Sequence, residues 1–178
     1  GRVFTPENVL SAIQNEVESP EARASGRPKT IIVELSSTIM ERLSALPADR
    51  FLPAAEEMLA IPDREHRIEA LEYLTSIYAV QKLDPRGHGD VIEECHALPA
   101  EFRQACVNGF AEGLMEHGPP GEEYLLALGF CRGPGLSAGE ASACERDVAA
   151  FLPERYSEQE LEAACAQVGA VYRELCDY

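Results

Sequence analysis

Six cysteines constrain this chain more than any other feature in it. They stand at positions 95, 106, 131, 144, 165 and 176 of 178 residues, all in the second half, as three close pairs separated by 11, 13 and 11 positions. Eleven residues of unbroken α-helix span about 16 Å, whereas a disulfide holds its two α-carbons about 4.4–6.8 Å apart. Bridging within a pair therefore requires the chain to turn between its members. "CHALPAEFRQAC" (95–106) offers Leu98-Pro99, with a proline suited to the first position of the next helix. "CRGPGLSAGEASAC" (131–144) offers Gly133-Pro134-Gly135, and "CAQVGAVYRELC" (165–176) only Gly169. The expectation is three staples, Cys95–Cys106, Cys131–Cys144 and Cys165–Cys176, each tying the two arms of an αα-hairpin.

Two other readings of the cysteines compete with this one. Free cysteine is among the most buried residue types, so six reduced core thiols are always available. A metal site is the weaker alternative, because no C-x-x-C occurs. Cys95, His96, Cys106 and His117 can be combined on paper. However, His96 adjoins Cys95 and points about 100° away from it on a helix.

The rest of the chain reads as helix after helix. Thr5-Pro6-Glu7 is an N-cap, a first-position proline and a first-turn acid, predicting a helix to about Glu18. "SPEARASGRP" (19–28) reads as a loop. A stripe at Ile31, Ile32, Leu35, Ile39, Leu43 and Leu46 predicts a helix from Lys29. Beyond the turn at Pro47, a short helix is expected from Pro53 to Ala60. Asp63 should open the longest helix, with Leu71, Leu74, Ile77 and Tyr78 on its buried face, ending near Leu83. Capping boxes are expected at Asp90–Glu93, Ser137–Glu140 and Ser157–Glu160, with loops at "GPPG" (118–121) and "RGPG" (132–135). No strand pattern emerges, so the fold class is all-α. One domain is expected over residues 1–178, with a Cys-free helical part (1–90) and a Cys-paired helical-hairpin part (91–178).

Charge narrows the partners. The chain carries 15 basic and 31 acidic residues, a formal net of −16, divided as −5 over residues 1–90 and −11 over 91–178. Such a field repels nucleic acid and anionic lipid surfaces, and is compatible with a basic protein partner. No apolar run approaches the ~18 residues of a membrane helix. A chain this long buries roughly 70% of its unfolded surface without help, so the staples point to compartment instead. Disulfides persist outside the reducing cytosol, and the expected location is periplasmic, cell-surface or secreted. The lack of an N-x-[ST] sequon and the Ala/Glu/Arg-rich composition lean bacterial. The start at Gly-Arg rather than Met suggests an upstream segment that was removed or is not included in this sequence.

Several motifs invite catalytic readings and do not sustain them. "GLSAG" (135–139) matches G-x-S-x-G, but no strand pattern precedes Ser137 and no histidine follows it, so Ser137 reads as a helix cap. His66 lacks the second histidine of H-E-x-x-H. His88, between two glycines, reads as an exposed loop residue. The adjacent pairs Glu56-Glu57, Glu93-Glu94 and Glu122-Glu123 read as solvated faces. Gly109 and Gly113, four apart on a helix where glycine is costly, suggest close packing of that helix against another within the fold.

The outer cysteine pairs share A-x-[FY]-R-x-x-C, and successive first cysteines lie 36 and 34 residues apart. A period near 35 with two helices per unit predicts a helix-turn-helix repeat. The arrangement, of roughly nine or ten helices, resembles tetratricopeptide- or Sel1-like arrays in its period and its Cys-tied hairpins. The W-x-x-L-G-x-x-Y pattern of the former is absent, since the chain has no Trp. The resemblance implies a non-catalytic module that binds proteins along a stacked face, with no cofactor, catalytic or metal-binding residue assigned. The alternative is a protein that handles metal or redox equivalents through its cysteine pairs.

Overall fold

A computed structural model of the chain describes residues 51–60 and 63–176. The helices expected over 5–18 and 29–46 lie outside them. Seven α-helices occur in the described part: α1 (Phe51–Met58), α2 (Arg64–Ala79), α3 (His88–Ala97), α4 (Ala100–His117), α5 (Glu123–Cys131), α6 (Ala138–Arg155) and α7 (Glu158–Cys165). 3-10 turns occupy Pro85–Gly87 and Ala170–Cys176, and no strand occurs among the described residues. The fold is all-α.

Local chemistry explains most of the boundaries. The Asp63 carboxylate accepts from the backbone N–H of His66 at 3.0 Å and opens α2; that bond holds its carboxyl below the ordinary range. Ser137 and Ser157 open α6 and α7 as capping boxes with Glu140 and Glu160. Pro99 precedes α4 as its cap residue, one place before its expected position. Pro53 lies inside α1, which starts two residues earlier than expected, at Phe51.

α2 stops at Ala79, short of Leu83, and is not the longest helix: α4 and α6 have 18 residues each, α2 has 16. Its end tightens into three-residue bonds, Val80 to Ile77, Gln81 to Tyr78 and Lys82 to Ala79. Asp84 is then forced out of helical backbone by Pro85 and adopts ψ 117°. From there Asp84 accepts from the N–H of Arg86 at 3.0 Å and caps the Pro85–Gly87 turn, which runs directly into α3. The helix expected to start at Asp90 thus begins at His88. Asp90 lies in its first turn and does not cap it.

α4 is the centre of the described fold and packs against α2, α3, α5 and α6, most extensively against α2. Gly109 and Gly113 make the α2 contact possible. A Cβ at Gly109 would stand 2.6 Å from the Cα of Glu72, and one at Gly113 would stand 2.7 Å from the Cβ of Ala79. Backbone meets backbone there, as the glycine spacing predicted. One continuous apolar core runs from Phe51 to Cys176 and includes Phe110, Phe130, Leu114 and the sulfurs of the first two cysteine pairs. The core therefore crosses position 90, where the cysteine-free part of the sequence ends.

A methyl group at either packing glycine has no room and cannot be accommodated by rotating a flexible side chain. Gly109→Ala and Gly113→Ala are expected to lower unfolding free energy by about 1–3 kcal/mol each in urea denaturation. Gly129, on α5 with nothing within 4 Å of an added Cβ, is the internal control: Gly129→Ala should stabilise by about 0.5–1 kcal/mol. Equal effects at all three positions would contradict the packing assignment.

Candidate functional site

The six cysteines form three disulfides, paired as the spacing predicted: Cys95–Cys106, Cys131–Cys144 and Cys165–Cys176, with α-carbons 5.5, 5.5 and 6.1 Å apart. None of the six is a free thiol. The first bridge ties α3 to α4 across Leu98-Pro99, the second ties α5 to α6 across "RGPG", and the third ties α7 to the terminal 3-10 segment beyond Gly169. Three such bonds mark an oxidising, non-cytoplasmic environment. No helix among the described residues is long and apolar enough to cross a membrane.

The bridges differ in burial. Cys95, Cys106, Cys131 and Cys144 have no exposed surface, whereas Cys165 is half-buried and Cys176, though buried, keeps 8% of its surface exposed. The matching strings around the outer pairs also differ. Phe102 and Arg103 lie in α4, with Phe102 in the core under the Arg67 guanidinium and Arg103 Nε donating to the Leu98 carbonyl at 3.1 Å. Tyr172 and Arg173 lie in a 3-10 segment, where Tyr172 pairs with Ser142 and Arg173 is exposed.

The metal-ligand combination separates. Cys95 and Cys106 are bonded to each other, His96 pairs with Glu140 at 3.0 Å, and His117 faces Glu116 at 3.6 Å. Among the described residues no three His, Cys, Asp or Glu side chains converge as a metal ion requires. Ser137 is a cap: its oxygen accepts from Glu140 N–H, and Glu140 accepts from Ser137 N–H at 2.8 Å. Burial alone would raise the Glu140 carboxyl, but the Ser137 hydrogen bonds and the His96 ring outweigh it and hold the group below its ordinary value.

Other acids also act as connectors. Glu145 accepts from the Gly169 N–H at 2.6 Å and from the Arg132 guanidinium, while Arg132 also donates to the Gln167 carbonyl at 2.7 Å. These bonds fix the turn that lets Cys165 and Cys176 meet. Burial opposes the Glu145 charge, yet Arg132 and Gly169 together keep its carboxyl below the ordinary range. The adjacent glutamates divide in two: Glu93 and Glu122 are exposed, but Glu94 accepts from the Tyr78 hydroxyl at 3.4 Å and Glu123 from Tyr156 at 2.8 Å. Burial pushes the Glu94 carboxyl up. Neither pair is simply a solvated face, because one member of each reaches a tyrosine from a neighbouring element. Glu56 is exposed, and the Glu57 side chain lies outside the described residues.

His88 departs furthest from the sequence expectation. It is 6% exposed, not a loop residue, and its ring meets Phe110 and Phe130 edge-on with centroids 5.5 Å away in both cases. Its Nε2 donates to the Lys82 carbonyl at 3.2 Å. The Asp84-capped turn explains the difference, since it carries His88 inward as the first residue of α3. Burial holds its pKa below 6.5, against smaller opposing effects of the Lys82 carbonyl and Asp84.

Several concave surfaces occur among the described residues, one of them beside the central helix. A groove of about 220 Å³ opens between α2, α4 and α6, lined by Glu72, Glu112 and Asp147 together with apolar side chains that include Met115 and Phe151. Asn108, also in the lining, donates to Asp147 Oδ2 and accepts from Gln104 Nε2 at 2.6 Å, so Asp147 is held in place from α4. Asp147 Oδ1 pairs with Arg146 at 3.1 Å. Although Glu112 as a residue is exposed, loss of surrounding water pushes its carboxyl up, and Glu116 and Asp147 add to this. The sequence alone did not reveal this groove. Its one sequence signal is the run Gln104, Asn108, Glu112, Glu116 at four-residue spacing, a polar stripe on one face of α4.

No protein-family model matches the chain, nor does any curated protein or solved structure.

The buried imidazole and the unequal bridges each lead to a measurement. A histidine kept neutral by burial contributes stability that is complete above its unfolded pKa of about 6.5 and is lost as pH falls below that value toward its lower folded pKa. Unfolding free energy should therefore decline as pH falls below about 6.5, and His88→Phe should flatten that slope; an unchanged slope would contradict the assignment. Graded reduction followed by alkylation and peptide mapping should open Cys165–Cys176 first, because the other four sulfurs are inaccessible to a reductant until the core opens. Simultaneous loss of all three bridges would contradict this.

Proposed function

We propose that this chain is a non-catalytic, extracytoplasmic helical module that mediates protein–protein interaction or assembly. In this reading it is built as hairpins of the repeat kind, and its acidic second half provides the contact. The observation that carries the proposal is the α2/α4/α6 groove, a concave surface lined by apolar side chains and carboxylates beside a core braced by three disulfides. Proteins recognise one another through such surfaces when the supporting helices are rigid enough that little ordering accompanies binding. The order of the bridges, each joining consecutive elements at a period near 35 residues, supports the repeat reading. The formal charge of −16 favours a basic partner and disfavours nucleic acid and anionic lipid.

A second reading, thiol redox chemistry, has one observation in its favour: Cys165 is part-exposed, so one bridge is open to exchange. It concerns that bridge alone, and the other four sulfurs are sealed in the core.

The test is affinity capture from the extracytoplasmic fraction of the native source. Oxidised chain and reduced, alkylated chain are immobilised in parallel at physiological salt. A partner is expected on the oxidised form only, eluting as salt rises to about 0.5 M, where exposed charges are largely screened. Retention of nothing, or equal retention by both forms, would overturn the interaction reading.

A further inference from the structure

The third bridge sits in different surroundings from the other two. Cys95–Cys106 and Cys131–Cys144 join α-helices, and none of their four cysteines has exposed surface, whereas Cys165 is half-buried. Cys165 and Cys176 both line a concavity of about 740 Å³ at α7, together with Leu161 and Arg173. That is the size of space small molecules occupy, so a thiol can reach the bridge without the core opening. From this geometry we infer that Cys165–Cys176 is a redox latch. A dithiol reductant opens it by exchange, and the segment Ala170–Cys176 is then released while the other helices and bridges stay folded. The inference goes beyond the interaction reading and does not rest on it. It takes the bridge as the target of exchange, not as a carrier of redox equivalents for another molecule.

The way the segment is held supports the same conclusion. Of the residues from Ala170 to Cys176, Cys176 alone is buried; Tyr172 is half-buried and the rest are exposed, Val171 to 77%. Its backbone is a 3-10 run of seven residues, longer than the roughly three or four that this geometry ordinarily sustains. Ordering a chain costs conformational entropy that burial normally offsets, and this segment buries little. Its non-covalent fastenings lie toward its start. Glu145 accepts from the Gly169 N–H at 2.6 Å, and the Tyr172 hydroxyl pairs with Ser142 of α6. Past Tyr172 the next buried side chain is Cys176 itself. The bridge is therefore the main restraint on the second half of the segment, and Gly169, clasped by Glu145, is the pivot.

The exchange balances in two steps. A thiolate of the dithiol attacks Sγ of Cys165, the more exposed of the two cysteines. A mixed disulfide forms as the bond to Cys176 breaks, and Cys176 leaves as a thiolate that takes up a proton. The second thiol of the reductant, deprotonated, then attacks its own partner sulfur in the mixed disulfide and expels Cys165, which is protonated in turn. The bridge gains two electrons and two protons, and the dithiol loses them to become a disulfide.

The experiment exposes the full, oxidised chain to dithiothreitol at mildly alkaline pH, where thiolate is populated, and quenches samples over time by alkylation. A species alkylated at Cys165 and Cys176 alone is expected to accumulate, with its helical circular dichroism and a single cooperative melting transition retained. In that species the amides of residues 170–176 should exchange with deuterium at least about tenfold faster than in the oxidised chain, as locally opened backbone does, while those of α4 stay protected. The double variant Cys165→Ala, Cys176→Ala should show the same fast exchange, which separates opening of the bridge from the bulk of the alkyl groups. Reduction of either other bridge at the same rate would overturn the inference, since the site would not be selective. Unchanged protection of residues 170–176 in the reduced species or in the double variant would also overturn it, because non-covalent contacts would then suffice to hold the segment. Exchange of α4 at unfolded-chain rates would overturn it as well, by making the bridge a support of the whole fold.

Discussion

The rest of the described structure depends on how closely α4 lies against α2. Helices ordinarily keep side chains between their axes, but Gly109 and Gly113 bring the α4 backbone onto Glu72, Ser76 and Ala79. That approach sets the position of the longest buried face in the described fold. From it, α4 reaches α5 and α6 on other sides and carries Phe110 into the aromatic cluster with Phe130 and His88. It also builds the groove. Glu72 and Glu112 line it together because nothing larger than hydrogen separates the two helices at Gly109 and Gly113.

The disulfides act on this arrangement at its joints. Each closes a loop of eleven to thirteen residues, and closing loops of that size removes roughly 3 kcal/mol of unfolded-chain entropy apiece in the chain-entropy account. A chain of this length does not need them to fold. Their effect is to fix the angles at which consecutive elements meet, at Leu98-Pro99, at "RGPG" and at Gly169. The last of these has the least turn-forming sequence, and there the structure adds Glu145, which clasps the Gly169 amide and draws in Arg132. Acidic residues in this protein are therefore not only a solvating coat. Glu140, Glu145, Glu123 and Glu94 accept from groups on neighbouring elements, while Glu72, Glu112 and Asp147 line the groove.

Much of the fold was legible in the sequence because it rests on short-range chemistry. Cysteine spacing combined with helix rise required turns within the pairs, and the pairs close as that reasoning demanded. Serine followed three residues later by glutamate marked the starts of α6 and α7, and the glycine spacing marked the α4 contact. The misreadings share one cause. His88 looked like an exposed loop residue and Asp90 like a cap because "DPRGHGD" was read residue by residue. In the folded chain Asp84 and Pro85 form a capped 3-10 turn that starts the helix early and carries the imidazole inward. Likewise A-x-[FY]-R-x-x-C recurs in sequence, yet Phe102 sits in an α-helix at the centre of the fold and Tyr172 in a 3-10 segment at its margin, so the two copies adopt different backbones.

By itself, then, the sequence determined the helical class, most helix starts and the acidic character, and pointed to the cysteine partners, since each depends on residues within a few turns of one another. The tertiary structure alone decided which acids became connectors and which line the groove. It also decided that His88 is buried, and that the core runs through position 90 with α2 packed on α4. The physical reason is that burial and charge neighbourhood are set by residues some forty positions apart, as with Ser76 and Glu116 or Asn108 and Asp147. No local pattern encodes which helix will supply the far side of a groove.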